Sequence, residues 1–393
     1  MEHTILSRIR EAIRGEGHDG WLFYNFRHRD RLSDDILGID PDTTNTRPWA
    51  YAVPADGEPL KIVHRIEERL LDGLEGTAMA YVDRQSFFRA FSSFSGQRWA
   101  AHISGELPIL SFLDEGTAAG IRAAGIELVS AAALVQRLKG LLDEEAVASH
   151  ERAAWGLYSI VDDAWQAIDG AYRSGRKITE GAVRRLILEG MERRGLETDH
   201  PPIVAAGAHS GDPHYDFSGE GAAFGDGDVV QLDLWAKERT PGSIYADISW
   251  VGVFGRSVDA EAADAWRVLA GARDEAVRYA GEALRSGLAP TGASVDERVR
   301  SALIGAGYGD ALRHRTGHGI DTECHGSGVN LDSIEFPDRR LLLEGACFSV
   351  EPGLYFQRFG LRTEIDVYIR AGAPRISGGE PQRDLLLCGR SIF

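Results

Sequence analysis

Over the first ~140 residues, short apolar runs alternate with polar intervals. Six runs have the length and the aromatic or β-branched content of strands: WLFYNF (21–26), WAYAVPA (49–55), LKIVH (60–64), AMAYV (78–82), LPILSFL (107–113) and IELVS (126–130). Between them, HRIEERLLDGL and EGTAAGIRAAG space their apolar positions as helices do and predict crossover helices, so this part reads as an α/β domain. From about Val135 the texture changes. The long helical pattern DEEAVASHERAAWGLYSIVDDAWQAIDGAYRSG is followed by TEGAVRRLILEGMERRG, with Thr179 as N-cap and Gly195 as C-cap, and then by apolar hairpins. The boundary falls near residues 139–143, dividing the chain into a smaller domain, 1–140, and a larger one, 141–393.

The larger domain repeats itself. TEGAVRRLILEG (179–190) resembles VDERVRSALIGA (295–306) at an offset of 116, which sets Val183 on Val299 and Leu188 on Ile304. A long helical pattern precedes each copy (144–174 and 259–286), and an apolar hairpin follows each.

Composition narrows the class without naming a chemistry. A 393-residue chain with 43% hydrophobic and 26% charged residues is ordinary for a soluble globular protein. Its net charge of −17 disfavours nucleic acid and anionic membrane as partners. Cys324, Cys347 and Cys388 are too few for a disulfide framework and suit a reducing cytoplasm. The stretch MEHTILSRIREAIRGEGHDG has mixed charges and no long apolar run, so neither a signal peptide nor a membrane span is expected. The scattered His3, His18, His28, His64 and His102 read as surface or packing residues.

Candidate chemistry lies in the second half. HRTGHGIDTECH (314–325) holds three of the chain's 12 histidines. His314 and His318 have the i, i+4 spacing of a helical zinc site, but Arg315 replaces the catalytic glutamate of that motif. Gly317, Gly319 and Gly326 would each weaken a helix by ~1 kcal/mol, so the segment reads as extended or looping.

Two hairpins carry the acids. In VVQLDLWAKERTPGSIYADISWVGVF, Asp233 and Asp247 lie on opposite arms of a turn at Pro241–Gly242. In CFSVEPGLYFQRFGLRTEIDVYI, Glu351 and Glu364 flank a turn near Phe359–Gly360. The offsets are 118 for Asp233 to Glu351 and 117 for Asp247 to Glu364, so the repeat places a carboxylate on each arm of each hairpin. Acids are disfavoured in strands, and an unpaired buried carboxylate would neutralise. Taken singly, each has a local excuse: Asp233 beside Lys237 or Arg239, Glu364 beside Arg362. Four in matching places beside a histidine cluster point to a shared cation, and four carboxylates with one imidazole favour manganese, cobalt or zinc.

With these residues in place, the chain resembles the pita-bread metallopeptidases: aminopeptidase P, prolidase and methionine aminopeptidase. That family's ordered Asp, Asp, His, Glu, Glu ligand set falls on Asp233 (QLDLW), Asp247 (YADIS), His318 (TGHGI), Glu351 (SVEPGLY) and Glu364 (LRTEID). The resemblance covers roughly residues 135–393, and the N-terminal part resembles the creatinase-type domain of the proline-specific branch. It implies an α+β fold, with helices packed on a curved antiparallel sheet about a pseudo-two-fold axis. It further implies two divalent ions, manganese first, with cobalt or zinc as alternatives. His214 (GDPHYDF) and His325 match substrate histidines, His314 a histidine of proline-specific members, and Arg362 and Tyr355 conserved accessory positions of the family. Glu351, with His214, His325 and Arg362, would carry catalysis.

The implied function is hydrolysis of the bond between an N-terminal residue and proline in short peptides, by a cytoplasmic homodimer. A methionine-aminopeptidase-like or creatinase-like hydrolase and a non-enzymatic module on the same fold are the alternatives. The N-terminal domain argues against the first, and the intact ligand set against the other two. Three departures bear on substrate preference. HGSG (325–328) replaces the usual acid after the second histidine, TEID moves Asp366 one residue on, and ADISW replaces an Asp-hydroxyl-Arg-Thr run.

Overall fold

The computed structural model describes residues 4–389, in two compact units that divide between Lys139 and Gly140. His3 lies outside the described residues. None of the described helices is long and apolar enough to cross a membrane.

The first unit runs α1 (Ile5–Gly15), β1 (Gly20–Asn25), α2 (Arg31–Leu37), β2 (Trp49–Pro54), β3 (Leu60–His64), β4 (Thr77–Tyr81), α3 (Arg84–Arg89), β5 (Arg98–Ala101), α4 (Glu115–Ala123), β6 (Glu127–Ser130) and α5 (Ala132–Lys139). Its strands form one mixed sheet in the order β4-β3-β2-β1-β5-β6. Alternation along β1 sends Trp21 and Phe23 into a core with α1 and α5, and Leu22 and Tyr24 into a second core on the other face. Its polar histidines serve packing: buried His102 holds Asp30 at 2.6 Å, and His28 holds Asp34 at 2.8 Å.

Two expected elements differ. LPILSFL is not a strand: Pro108 opens a 3-10 turn (Pro108–Leu110), and the N–H groups of Phe112 and Leu113 both donate to the carbonyl of His102. Proline cannot feed a central ladder, and RWAA (β5) fills the position between β1 and β6 instead. HRIEERLLDGL forms only a 3-10 turn, Arg65–Glu67, and further i, i+3 turns, which carry Leu70, Leu71 and Leu74 onto the core.

The second unit begins with α6 (Glu144–Ser174) and α7 (Glu180–Arg193), capped by the Thr179 hydroxyl on the N–H of Ala182. Arg194 is the C-cap, and Gly195 follows it in the left-handed conformation, φ +69°. Then come β7 (Leu196–Glu197), β8 (Ile203–Ala206), β9 (Asp228–Glu238), β10 (Ala246–Phe254), α8 (Ala260–Arg285), α9 (Gly292–Gly305), β11 (Cys347–Val350), β12 (Gly353–Tyr355), β13 (Gly360–Arg362), β14 (Ile365–Arg370), β15 (Ala373–Ile376) and β16 (Leu386–Leu387).

The repeat is present, but its helices are offset by 112 rather than 116. Thr179 and Thr291 are the two N-caps. Val183, Ile187 and Met191 are buried on α7 as Val295, Val299 and Leu303 are on α9. A slip of four residues is one helical turn, which leaves the apolar stripe nearly in phase and so hides in the sequence. The segments that follow keep the offset of 118: Thr179 bridges Ala223 as Thr291 bridges Leu341. Phe224 N–H donates to Ile178 as Leu342 N–H does to Pro290.

Candidate metal centre

Alternation along the first hairpin aims its acids. Val230, Leu232 and Leu234 of β9 and Ala246 and Ile248 of β10 pack against α6 and α7, so Asp233, Asp247 and Ser249 turn to the opposite face. Asp233 and Ser249 are cross-strand partners. The second hairpin is interrupted where its acids stand. β11 pairs β14 and β12 pairs β13, but Glu351 and Glu364 fall in the gap between the two ladders rather than in strands. Pro352 has no N–H to continue the ladder. The freed N–H of Glu351 donates to Thr316 at 2.7 Å and that of Glu364 to Ser249 at 3.3 Å, tying this gap to the histidine segment and to β10.

The histidine segment is extended, as its glycines predict. Gly317 bridges Leu331 and Gly319 bridges Phe348, with His318 held between them. A Cβ on Gly317 would stand 2.0 Å from the Ser349 carbonyl oxygen. Gly317→Ala is therefore expected to cost about 1–3 kcal/mol or more through overpacking, read as a lower Tm together with a loss of bound metal. An unchanged Tm and metal content would show that the backbone is not held this closely.

The donor atoms converge. His318 Nε2 lies 3.6 Å from Asp247 Oδ2 and 3.5 Å from Glu351 Oε1. Ligand atoms of Asp233, Asp247 and Glu364 lie within 4.8 Å of one another, as do those of His318, Glu351 and Glu364. Asp247 and Glu364 are 5% and 2% exposed. Burial drives both carboxyls well above the usual carboxylate range, reinforced at Asp247 by Asp233 and then Glu351, and at Glu364 by Asp247 and then Glu351 and Asp233. Burial lowers the pKa of His318, which keeps its ring neutral, the form a ligand needs. Arg362 pairs with Asp233 and stays charged, because the surrounding acids and Tyr355 outweigh its burial.

Residues 157–371 match the family described as metallopeptidase family M24. The chain belongs to metallopeptidase family M24. It is 28% identical over 339 residues to the probable dipeptidase PepE of Mycobacterium tuberculosis, which covers 84% of this chain and 82% of that one. It is 29% identical over 243 residues to the Xaa-Pro dipeptidase of Pyrococcus furiosus, covering 58% and 62%. In fold it is similar to dipeptidase PepE of Mycobacterium ulcerans, with a TM-score of 0.71 at 22% identity over 98% and 97% of the two chains. The prolidase of Thermococcus sibiricus gives 0.64 at 20% identity over 98% and 99%. The fold is the pita-bread one, and the protein is a metal-dependent peptidase.

The residues of this M24 peptidase fit a cation. Asp247 Oδ1 and Glu364 Oε1 are buried with no hydrogen-bond partner. Such orphaned oxygens are costly unless a cation completes them. The donors are four carboxylates and a neutral imidazole, a set suited to divalent first-row ions.

Around this core stand the other predicted residues. His325 packs against His318 with ring centroids 4.2 Å apart and the rings tilted by 38°; the His318 ring and then burial push its pKa down to about 3. His214 is exposed at the rim, its chain anchored by Arg362 Nη1 donating to the Pro213 carbonyl at 3.2 Å. His314 faces away from the acids. Its Nδ1 meets the Arg315 carbonyl and its Nε2 the Tyr355 hydroxyl, both at 2.7 Å. Tyr355 in turn accepts from Arg362 Nη1 at 3.3 Å, so His314, Tyr355, Arg362 and Asp233 form one chain. Burial first, then Arg362, lowers the His314 pKa to about 4 and keeps it neutral.

Sequence reasoning missed two residues. Ser249 Oγ donates to Asp233 at 2.5 Å and lies 2.9 Å from Glu364, fixing both carboxylates. Its place opposite Asp233 follows from the hairpin register and was findable there. Cys324 Sγ lies 3.0 Å from Asp247 Oδ2, and only its position next to His325 hinted at this. The departures also find a cause. A Cβ on Gly326 would stand 2.6 Å from Asp321 Cγ, so an acid cannot replace Gly326 without displacing Asp321. Asp366, shifted by one, accepts the Asp247 N–H at 2.7 Å instead of facing the site.

Proposed function

We propose that this peptidase cleaves the bond between an N-terminal residue and proline in short peptides, using two divalent ions, manganese foremost. The observation that carries the metal centre is the convergence of Asp233, Asp247, His318, Glu351 and Glu364 with two orphaned buried oxygens. Asp247, Glu364 and His318 each belong to two of the donor groups, and together with Asp233 and Glu351 they would hold the two ions. The proline preference rests on the Xaa-Pro dipeptidases among the relatives and on His314, which matches a histidine of the proline-specific branch and is held by the Tyr355 hydroxyl. A cytoplasmic homodimer is part of the same proposal, in keeping with three free cysteines.

When bound, the ions would supply Lewis acidity and lower the pKa of the attacking water toward ~7. Glu351 is the least buried of the four acids, its side chain 14% exposed, and so is placed to take that water's proton and pass it to the leaving nitrogen. His325 and His214 stand on the open side and donate hydrogen bonds to the substrate carbonyl as charge develops on it. His325 is neutral at working pH, so one ring nitrogen carries the donated proton. Arg362 holds Asp233 and, through Pro213, the segment bearing His214. Proline suits a site that does not require the amide N–H it lacks.

The test is an assay of Xaa-Pro dipeptides, Xaa-Pro tripeptides and matched Xaa-Ala peptides with added manganese. Release of the first residue from Xaa-Pro substrates at a kcat/KM at least about tenfold above Xaa-Ala, a difference of ~1.4 kcal/mol, is expected. Equal turnover of Xaa-Ala would remove the proline preference and leave a general dipeptidase.

A further inference from the structure

None of the five predicted donors accounts for Cys324. It is 4% exposed and sits in a small apolar cluster with Ile244, Tyr245 and Ile320, yet its sulfur is turned toward carboxylates. Sγ lies 3.0 Å from Asp247 Oδ2. It also falls within 4.8 Å of a His318 ring nitrogen, so Asp247, His318 and Cys324 make a third group of converging donors. On the same carboxylate, Asp247 Oδ1 is buried with no partner, an oxygen that calls for a cation at this end of the site.

The spacing suits shared coordination. A sulfur and an oxygen bound to one ion at about 2.3 Å and 2.1 Å, subtending 90–110°, stand roughly 3.1–3.6 Å apart. Two oxygen or nitrogen donors at about 2.1 Å, opened to about 120°, stand roughly 3.6 Å apart. The 3.0 Å from sulfur to Asp247 and the 3.6 Å from His318 to the same oxygen lie close to those figures.

We propose that Cys324 is a sixth metal donor, a thiolate on the ion held by Asp247 and His318, and that it biases this position toward zinc, cobalt or cadmium over manganese. This rests on the metal-centre reading above and refines it: thiolates select softer ions, so the two positions differ in preference. On coordination the S–H bond breaks, the sulfur–metal bond forms and the proton leaves to solvent. No electron is transferred.

The experiment strips the full-length protein with a chelator, reloads it with cobalt(II), and records metal content by mass spectrometry beside the optical spectrum. A sulfur-to-cobalt charge-transfer band in the near ultraviolet is expected, lost in Cys324→Ser while cobalt stays bound. In zinc–manganese competition, the preference for zinc should fall at least about tenfold in that variant, comparable to losing even an outer partner of a ligand. Cobalt bound to the wild type without the band, or a band that survives in Cys324→Ser, overturns the proposal and leaves the metal centre standing. No bound cobalt at all overturns the metal centre itself. Should Cys324→Ser not fold, X-ray absorption at the cobalt edge of the wild type decides. A sulfur scatterer at about 2.3 Å supports the proposal, and nitrogen and oxygen scatterers alone refute it.

Discussion

Dialysis against a chelator is expected to abolish hydrolysis, and added manganese, cobalt or zinc to restore it. The site without ions holds two orphaned carboxylate oxygens and acids whose pKa values are driven well above their ordinary 3.8 and 4.5. The direction fixes a pH dependence. A carboxyl raised in the folded state contributes stability that is complete below its unfolded pKa and is lost as pH rises through the raised value. The metal-free protein should therefore lose this contribution from Asp247 and Glu364 as pH rises from about 4. Metal reverses the sign, because it binds ionised carboxylates and a neutral imidazole. The Tm increment on adding metal should grow from pH 5.5 to pH 8, reaching the equivalent of about 2.7 kcal/mol at a free ion concentration a hundredfold above Kd. An increment that shrinks with pH, or full activity in a verified metal-free preparation, would remove the acids from the role assigned to them.

The second large effect separates ligands from substrate contacts. His318→Ala should lose both bound metal and activity, since the ring faces Asp247 and Glu351 at 3.6 Å and 3.5 Å. His325→Ala and His214→Ala should keep their metal and lose ~10²–10³-fold in kcat, as for a missing transition-state donor. His325 packs at a tilt against His318, and both His325 and His214 are exposed. Metal analysis and single-substrate kinetics on the three variants check this. Equal loss of metal in all three would mean that the three histidines together, rather than His318 alone, build the ligand site.

Much of this was legible in the chain. Five of the six strands of the first unit follow from their apolar runs, with β5 missed and LPILSFL misread, and the Asp233–Asp247 hairpin follows from its apolar arms and the Pro241–Gly242 turn. The histidine segment was readable as extended because Gly317, Gly319 and Gly326 disfavour a helix; the structure adds that backbone packs directly against Gly317 and Gly319. The repeat was readable in its carboxylates and misread by one turn in its helices, since an apolar stripe looks nearly the same after a turn.

What the sequence by itself determined was which residue types are available and in what order: the acids on paired arms, the imidazole on an extended segment, the helix capped by Thr179. Local spacing suffices there, because hairpins and caps are made by neighbours. Tertiary structure alone decided which side chains meet. The break at Pro352 moved Glu351 and Glu364 out of strands and into the gap. Ser249 became the clamp between Asp233 and Glu364, His314 was given to Tyr355, and Cys324 was brought 3.0 Å from Asp247 across 77 residues of chain. Such contacts depend on how separate segments pack, and the hydrophobic pattern that drives the packing carries no trace of which polar atoms it will leave facing one another.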